Sequence, residues 1–140
     1  MSDFFAPTVQ KSHEWVNEVA EELGTEDRHR AYLAMKASLL ALRDRLPTPE
    51  MAQLAAQLPM LIRGVFYEGW NPTHTPVKDR HLDDFLGHIA DRFPGDLGLD
   101  EARRFAEATY AVLARHVTPG ELDDVVGVLP HEIRVLFPGS

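Results

Sequence analysis

Two histidines and an aspartate form the group of residues in this sequence best suited to bind a metal ion. His81, Asp84 and His88 follow one another at spacings of three and four residues, which places them on one face of a helix. Imidazole nitrogens and carboxylate oxygens are ligands that hard and borderline metal ions accept. The alternative is an exposed polar helix face on which Asp84 pairs with His88 and no metal binds. We favour the polar face and keep the metal site as the alternative.

Two arginines occupy matching positions after two Leu-Pro pairs. Arg63 lies four residues after Pro59, and Arg134 lies four residues after Pro130. Each guanidinium group can donate to the carbonyls that end the preceding helix, or pair with Glu50 or Glu121. The alternative is a site for an anion or an acidic partner. Because the arginine recurs in both places, we favour the structural role.

Tyr67 and Trp70 are the aromatic candidates for a binding surface. Aromatic side chains with a polar edge bury a large area at low entropic cost, and they are common in protein interfaces. The alternative is that Trp70 covers the seam between two halves of the chain. We favour the seam and keep the binding surface as the second interpretation.

Catalytic chemistry finds little support in the sequence. It has no cysteine, and its serines are Ser2, Ser12, Ser38 and Ser140. Ser12 and Ser38 lie on apolar helical stripes, so we expect them to face the core. Neither common phosphate-binding glycine pattern is present. The Glu-x-x-His spacing at residues 26–29 occurs once, whereas di-iron bundles need two such motifs. No catalytic residue and no cofactor are therefore assigned, and an enzyme is the less favoured class.

Helical spacing predicts the elements that position these residues. A first helix over about Thr8–Leu23 is expected to end at Gly24. The second helix carries a wide apolar stripe, which predicts that it lies at the centre of the bundle. Thr25, Thr48 and Asp100 are the predicted caps at the starts of three helices. Pro47 and the two Leu-Pro pairs break the helical runs, and a short helix is expected after each Leu-Pro.

The sequence contains an internal repeat. Residues 42–66 align with residues 113–137 without a gap, and seven of the 25 positions are identical. Such similarity predicts a duplication. We therefore expect an all-α fold, in which two diverged repeats of about four helices each pack as one bundle. The chain is predicted to be a single domain, residues 1–140, with repeat one at about 8–70, a linker at about 69–78 and repeat two at about 79–138.

Composition limits the classes of partner. The chain has 140 residues, with 14 lysines and arginines against 22 acidic residues, and a net charge of −8. Net acidity works against the counterion release on which nucleic-acid binding depends. The first ten residues do not resemble a secretory signal, and no apolar stretch is long enough to cross a membrane. We therefore expect a cytoplasmic protein that binds neither membrane nor nucleic acid.

One segment carries a resemblance to a known family. Residues 57–70, QLPMLIRGVFYEGW, are supported by Phe85 and Leu86 downstream and by the second pair, Leu129-Pro130. Together they resemble the bacterial domain-of-unknown-function family 2267. The resemblance spans nearly the whole chain and implies an all-helical bacterial domain. It implies no established reaction, ligand or catalytic residue.

These observations favour a non-enzymatic protein-interaction or adaptor domain with an unidentified protein partner. It is expected to be a monomer or a homodimer and to expose an apolar or aromatic patch near Tyr67 and Trp70. The alternative is a domain that binds a small ligand or a metal ion between the two repeats.

Overall fold

The computed structural model of the protein describes residues 3–139. These residues form eight helices and no strand. The prediction of an all-α fold is confirmed. The helices are α1 (Ala6–Leu23), α2 (Arg28–Arg45), α3 (Thr48–Ala55), α4 (Met60–Tyr67), α5 (Leu82–Arg92), α6 (Leu99–His116), α7 (Pro119–Gly127) and α8 (His131–Arg134).

Helices α2 and α6 form the centre of the bundle. They pack against each other, and each of them also packs against α1 and α5. The C-terminal half of α2 is buried on almost every side, as its apolar sequence predicts for a central helix. Tyr110 on α6 is fully buried, donates its hydroxyl to the Ser38 carbonyl oxygen on α2 at 2.7 Å, and stacks on Phe137.

The shorter helices cover the edges of this centre. Helix α4 packs against α1 and α2, α8 against α5, and α3 against α7. Residues 68–81, between α4 and α5, form no helix. Both bounds of α6 follow those of α2 by 71 residues, the offset of the sequence repeat. The duplication itself stays a prediction.

Several sequence-based details are confirmed. Ser12 and Ser38 are buried, as their stripes predict. Helix α1 ends at Gly24, whose φ of 68° lies in the left-handed region that glycine adopts without strain. Trp15, also on α1, is 1% exposed and belongs to the main core.

The three predicted helix caps are wrong by one or two residues. Asp27, not Thr25, caps α2 and accepts the Arg30 amide at 3.0 Å. The cap position of α3 is Pro47, and that of α6 is Gly98; neither offers a side-chain acceptor. The sequence offered several suitable cap residues near each boundary, and local preference alone does not choose between neighbours.

Within the described residues, no helix combines the length and the apolar character needed to cross a membrane.

Candidate functional site

An apolar groove lies between α1, α2 and α4. It has a volume of about 160 Å³. Three helices line it, α1 with four residues, α2 with two and α4 with three: Val9, Ser12, His13, Val16, Tyr32, Met35, Leu61, Ile62 and Val65. Its lining is almost entirely apolar carbon.

Helix α4 forms the open side of this groove because its sequence is apolar on more than one face. Ile62 and Phe66 point into the core and are buried. Met60, Leu61 and Tyr67 remain 56%, 48% and 38% exposed. An eight-residue helix at the edge of a bundle buries one stripe, so the other apolar residues stay in contact with water. Contiguous exposed apolar surface of this kind is typical of interaction sites.

Two polar features accompany the groove. The hydroxyl of Ser12 is buried and has no hydrogen-bond partner within the described chain. His13 lines the groove, and its Nδ1 lies 3.2 Å from the Arg28 guanidinium. These two side chains give an otherwise apolar surface one buried and one accessible polar group.

Tyr67 and Trp70, the predicted binding residues, lie next to each other at the end of α4. Their rings meet edge to face with centroids 6.1 Å apart. Trp70 is half-buried and packs against the main core, whereas Tyr67 is exposed. Trp70 therefore has both a core contact and an accessible edge, and both interpretations of it stay predictions.

Arg63 and Arg134 make equivalent contacts with backbone carbonyls. Arg63 donates to the carbonyl oxygens of Ala55, Ala56 and Leu58 at 3.0, 3.2 and 3.0 Å. Arg134 donates to those of Leu129 and Gly127 at 2.7 and 3.2 Å. These are the carbonyls at the end of the preceding helix, as the structural interpretation expects. Neither arginine pairs with Glu50 or Glu121 in the structure.

His81, Asp84 and His88 have other partners in the structure. His81 Nδ1 lies 3.0 Å from a carboxylate oxygen of Glu132, and His88 Nε2 contacts Asp79. The pKa of His81 is raised by its hydrogen bond to Glu132 and by the Glu132 charge. The three predicted ligands do not converge on one point. Metal binding by this group stays a prediction.

A second, more polar cavity of about 290 Å³ lies between α2, the segment after α4, and α5. Arg43, Asp44, His88 and Arg92 contribute charged or titratable side chains to its wall. The two carboxylate oxygens of Asp44 accept bonds from Arg43 and Arg92. Both guanidinium charges are thereby partly neutralised within the chain.

The sequence analysis missed two polar arrangements. Arg43 is 2% exposed and donates to the carbonyls of Phe66 and Glu68 at 2.9 and 2.7 Å. Its sequence neighbours do not indicate that it is buried, because the carbonyls that it binds lie about 25 residues further along the chain. The carboxylates of Glu50, Glu121 and Asp124 form the second arrangement, with ligand oxygens within 4.8 Å of one another. Glu50 and Glu121 are identical at equivalent repeat positions, which was the available signal.

Together, the fold and the groove define an all-helical domain with an open apolar surface on its first half. The chain belongs to the family described as an uncharacterized conserved protein, DUF2267, whose model matches residues 12–136. The match covers nearly the whole chain, in agreement with the resemblance carried by residues 57–70. No curated protein matches the chain.

Proposed function

We propose that this chain is a non-enzymatic protein-interaction domain whose groove between α1, α2 and α4 receives one face of an amphipathic helix from a partner protein. The observation that carries the proposal is the apolar groove with Leu61, 48% exposed, at its open side. Helix-in-groove recognition depends on such a surface, because the partner's apolar anchors at helical spacing fill it.

The size of the groove favours side-chain anchors over a small molecule. Small-molecule sites usually enclose about 300–1,000 Å³, whereas this groove encloses about 160 Å³. Such a volume suits one or two apolar side chains on an otherwise solvent-exposed helix. The groove is also shared by three helices of the fold, so its shape is set before a partner binds.

Charge defines the rest of the partner. The chain carries a net charge of −8, so a helix with basic residues beside its apolar anchors would be attracted to it at long range. We therefore commit to a partner helix with apolar anchors and net positive charge. Its association should weaken as the salt concentration rises.

The proposal includes a duplicated architecture and a cytoplasmic location. Identical bounds of α2 and α6 at an offset of 71, and the equivalent contacts of Arg63 and Arg134, support duplication. We place repeat one at about 8–70 and repeat two at about 79–138. Cell fractionation with an antibody to the chain tests the location.

A displayed library of amphipathic helical peptides, varied in net charge, tests the binding proposal. The purified chain should enrich peptides with apolar residues at i, i+4 and i+7 flanked by lysine or arginine. Leu61→Glu should weaken the binding of a selected peptide at least about tenfold, because a carboxylate would lie against apolar anchors. Calorimetry at two salt concentrations measures this affinity.

Val135→Glu is the matched control, because Val135 is 44% exposed on the opposite half of the chain. It should leave peptide affinity unchanged. Failure to enrich any peptide, or binding that survives Leu61→Glu, would overturn the proposal. A dimer of the free chain that Leu61→Glu dissociates would also overturn it, since the occupant would then be a second copy.

A small ligand bound between the repeats is the second candidate, and the polar cavity beside Arg43 and His88 favours it. Residues of both halves line that cavity, which approaches the lower size limit of small-molecule sites. Native mass spectrometry of untagged protein tests this candidate. A stoichiometric added mass that Arg92→Ala abolishes would support it, and a bare chain or bare dimer would contradict it.

A further inference from the structure

Two identical glutamates meet where α3 packs against α7. Glu50 is the third residue of α3, and Glu121 is the third residue of α7. They are 71 residues apart and therefore equivalent in the repeat. Asp124, one turn further along α7, adds a third carboxylate, and the ligand oxygens of all three lie within 4.8 Å of one another.

Glu121 is the buried member of this carboxylate cluster. It is 7% exposed, and its Oε2 is buried with no hydrogen-bond partner within the described residues. The Oε2 of Glu50 is buried and unpartnered as well. Glu50 as a whole is half-buried and Asp124 is exposed, so the cluster can be reached from solvent.

The usual local role of Glu121 is taken by another residue. In a capping box, the third residue of the helix would accept the amide of the cap residue, here Thr118. Instead, that amide donates to Gln57 Oε1 at 2.8 Å, while Thr118 Oγ1 accepts the Glu121 amide at 3.2 Å. The capping box is therefore half formed. The carboxylate of Glu121 faces Glu50 across the interface between α3 and α7.

No positive charge compensates the cluster within the described chain. None of the ion pairs found there includes Glu50, Glu121 or Asp124. Burial and the neighbouring carboxylates of Glu50 and Asp124 raise the pKa of Glu121 to about 7. Glu50 on α3 and Asp124 on α7 are the titratable groups that face it, and both are acidic.

Two ionised carboxylates cannot donate hydrogen bonds to each other. Their facing, buried oxygens need either a shared proton or a cation between them. We propose that Glu50, Glu121 and Asp124 bind one hard divalent cation, Mg²⁺, Ca²⁺ or Mn²⁺, which joins α3 of the first half to α7 of the second. This site is distinct from the groove, so it does not depend on the proposed interaction.

The ligand set defines the class of cation. All three ligands are carboxylate oxygens, which hard divalent ions prefer, whereas zinc and copper favour nitrogen or sulfur. Oxygens on opposite sides of Mg²⁺ lie about 4.0–4.2 Å apart, and those across Ca²⁺ about 4.6–5.2 Å apart. The oxygens of the cluster lie within 4.8 Å of one another, close enough to share one ion of this class. The exposed side, beside Asp124, leaves room for water to complete the coordination shell.

Thermal unfolding of chelator-treated protein, titrated with each of the three ions, tests the site. A hundredfold excess over Kd should raise Tm by about 5–10 °C at pH 8. Because carboxylate ligands must be deprotonated to bind, the rise in Tm should become smaller as the pH is lowered. Mn²⁺ titrated by electron paramagnetic resonance should give one bound ion per chain.

Three variants locate the ion. Glu121→Gln and Glu50→Gln should fold, because an amide can donate to the remaining carboxylate, and both should lose the rise in Tm. Asp96→Asn, at an exposed aspartate outside the cluster, should keep it. A rise that survives Glu121→Gln but disappears in His88→Ala would overturn the proposal in favour of His81, Asp84 and His88. No saturable rise with any ion would also overturn it and leave a proton shared by the two glutamates.

Discussion

Helices α4 and α8 lie at matching positions of the sequence similarity, yet they present different surfaces. Both follow a Leu-Pro pair, and both bury an isoleucine and a phenylalanine at the same register: Ile62 and Phe66 in α4, Ile133 and Phe137 at α8. Helix α4 continues for eight residues, whereas α8 ends after four. The buried isoleucine and phenylalanine are the same in both helices, whereas Leu136 is buried and its counterpart Val65 is only half-buried. The other differences lie at exposed positions.

The outward positions explain how the surfaces of α4 and α8 differ. Leu61 corresponds to Glu132 at the repeat offset. Glu132 accepts the Leu82 amide at 3.1 Å and contacts His81, so α8 is joined to the start of α5 by polar contacts. Leu61 makes no such contact and borders the groove. The difference between Leu61 and Glu132 is thus one of the outward differences that separate a surface occupied by its own chain from the one that we propose is available to a partner.

The helix ends differ for a related reason. Arg43 holds the end of α4 through the carbonyls of Phe66 and Glu68. The equivalent residue in α6 is Ala114, which has no polar side chain to hold the end of α8. The longer α4 therefore coincides with a buried guanidinium that donates to its final carbonyls.

Removal of the Arg43 guanidinium should have the largest effect on the difference between the ends of α4 and α8. Arg43→Ala should lower the free energy of unfolding by about 3 kcal/mol, because buried carbonyls lose a charged donor. Urea denaturation measures the loss, and hydrogen exchange should show lost protection in α4 with little change in α8. Arg103→Ala, which removes one exposed ion pair, should cost less than about 0.5 kcal/mol. Equal loss of protection in both helices would contradict the assigned role.

Arg63→Ala and Arg134→Ala test a contact that the two halves share. Both arginines donate to carbonyls at the end of the preceding helix. Each variant removes charged hydrogen bonds to the end of the preceding helix and should cost about 1–2 kcal/mol. Arg63 donates three such bonds and Arg134 two, so the first loss should be the larger. Chemical denaturation of the two variants under one set of conditions gives both values. Unchanged stability in both would favour an anion-binding role instead.

The polar contact of α8 should give the smallest effect, one that depends on pH. The pKa of His81 is raised by Glu132, and the pKa of Glu132 is lowered by its bonds to the Leu82 amide and His81. The histidine's contribution is complete below pH 6.5 and is lost as pH rises through its raised pKa. That of Glu132 is complete above pH 4.5 and is lost as pH falls through its lowered pKa.

Glu132→Gln should therefore lower Tm most between about pH 4.5 and 6.5. Thermal unfolding across pH 4–9, with Glu26→Gln on the first half as the control, measures this difference. A difference between Glu132→Gln and the parent chain that does not vary with pH would contradict the assignment.

The sequence predicted those features that depend on local chemistry. The apolar stripes, Gly24 and the Leu-Pro breaks give the number and approximate bounds of the helices, because spacing and backbone geometry act within a few residues. The cap of α2 is Asp27 and not Thr25, so the predicted start of this helix is wrong by two residues. Neighbouring residues competed for one cap position, and the sequence alone did not decide between them.

Features that depend on contacts between residues far apart in the chain could not be predicted from the sequence. Nothing near Arg43 in the sequence indicates a guanidinium buried against the end of α4. The meeting of Glu50 and Glu121 was closer to prediction, because the two residues are identical at the 71-residue offset of the sequence similarity. The exposure of Leu61 needed the structure, because an apolar residue on a short helix is equally suited to either face.

The packing of α2 against α6 has a consequence for how the chain folds. These two central helices are separated by 71 residues, so their contact closes a long loop whose entropic cost comes before most of the core is buried. Neither half can cover its own central helix alone. We therefore expect the halves to unfold in one cooperative transition.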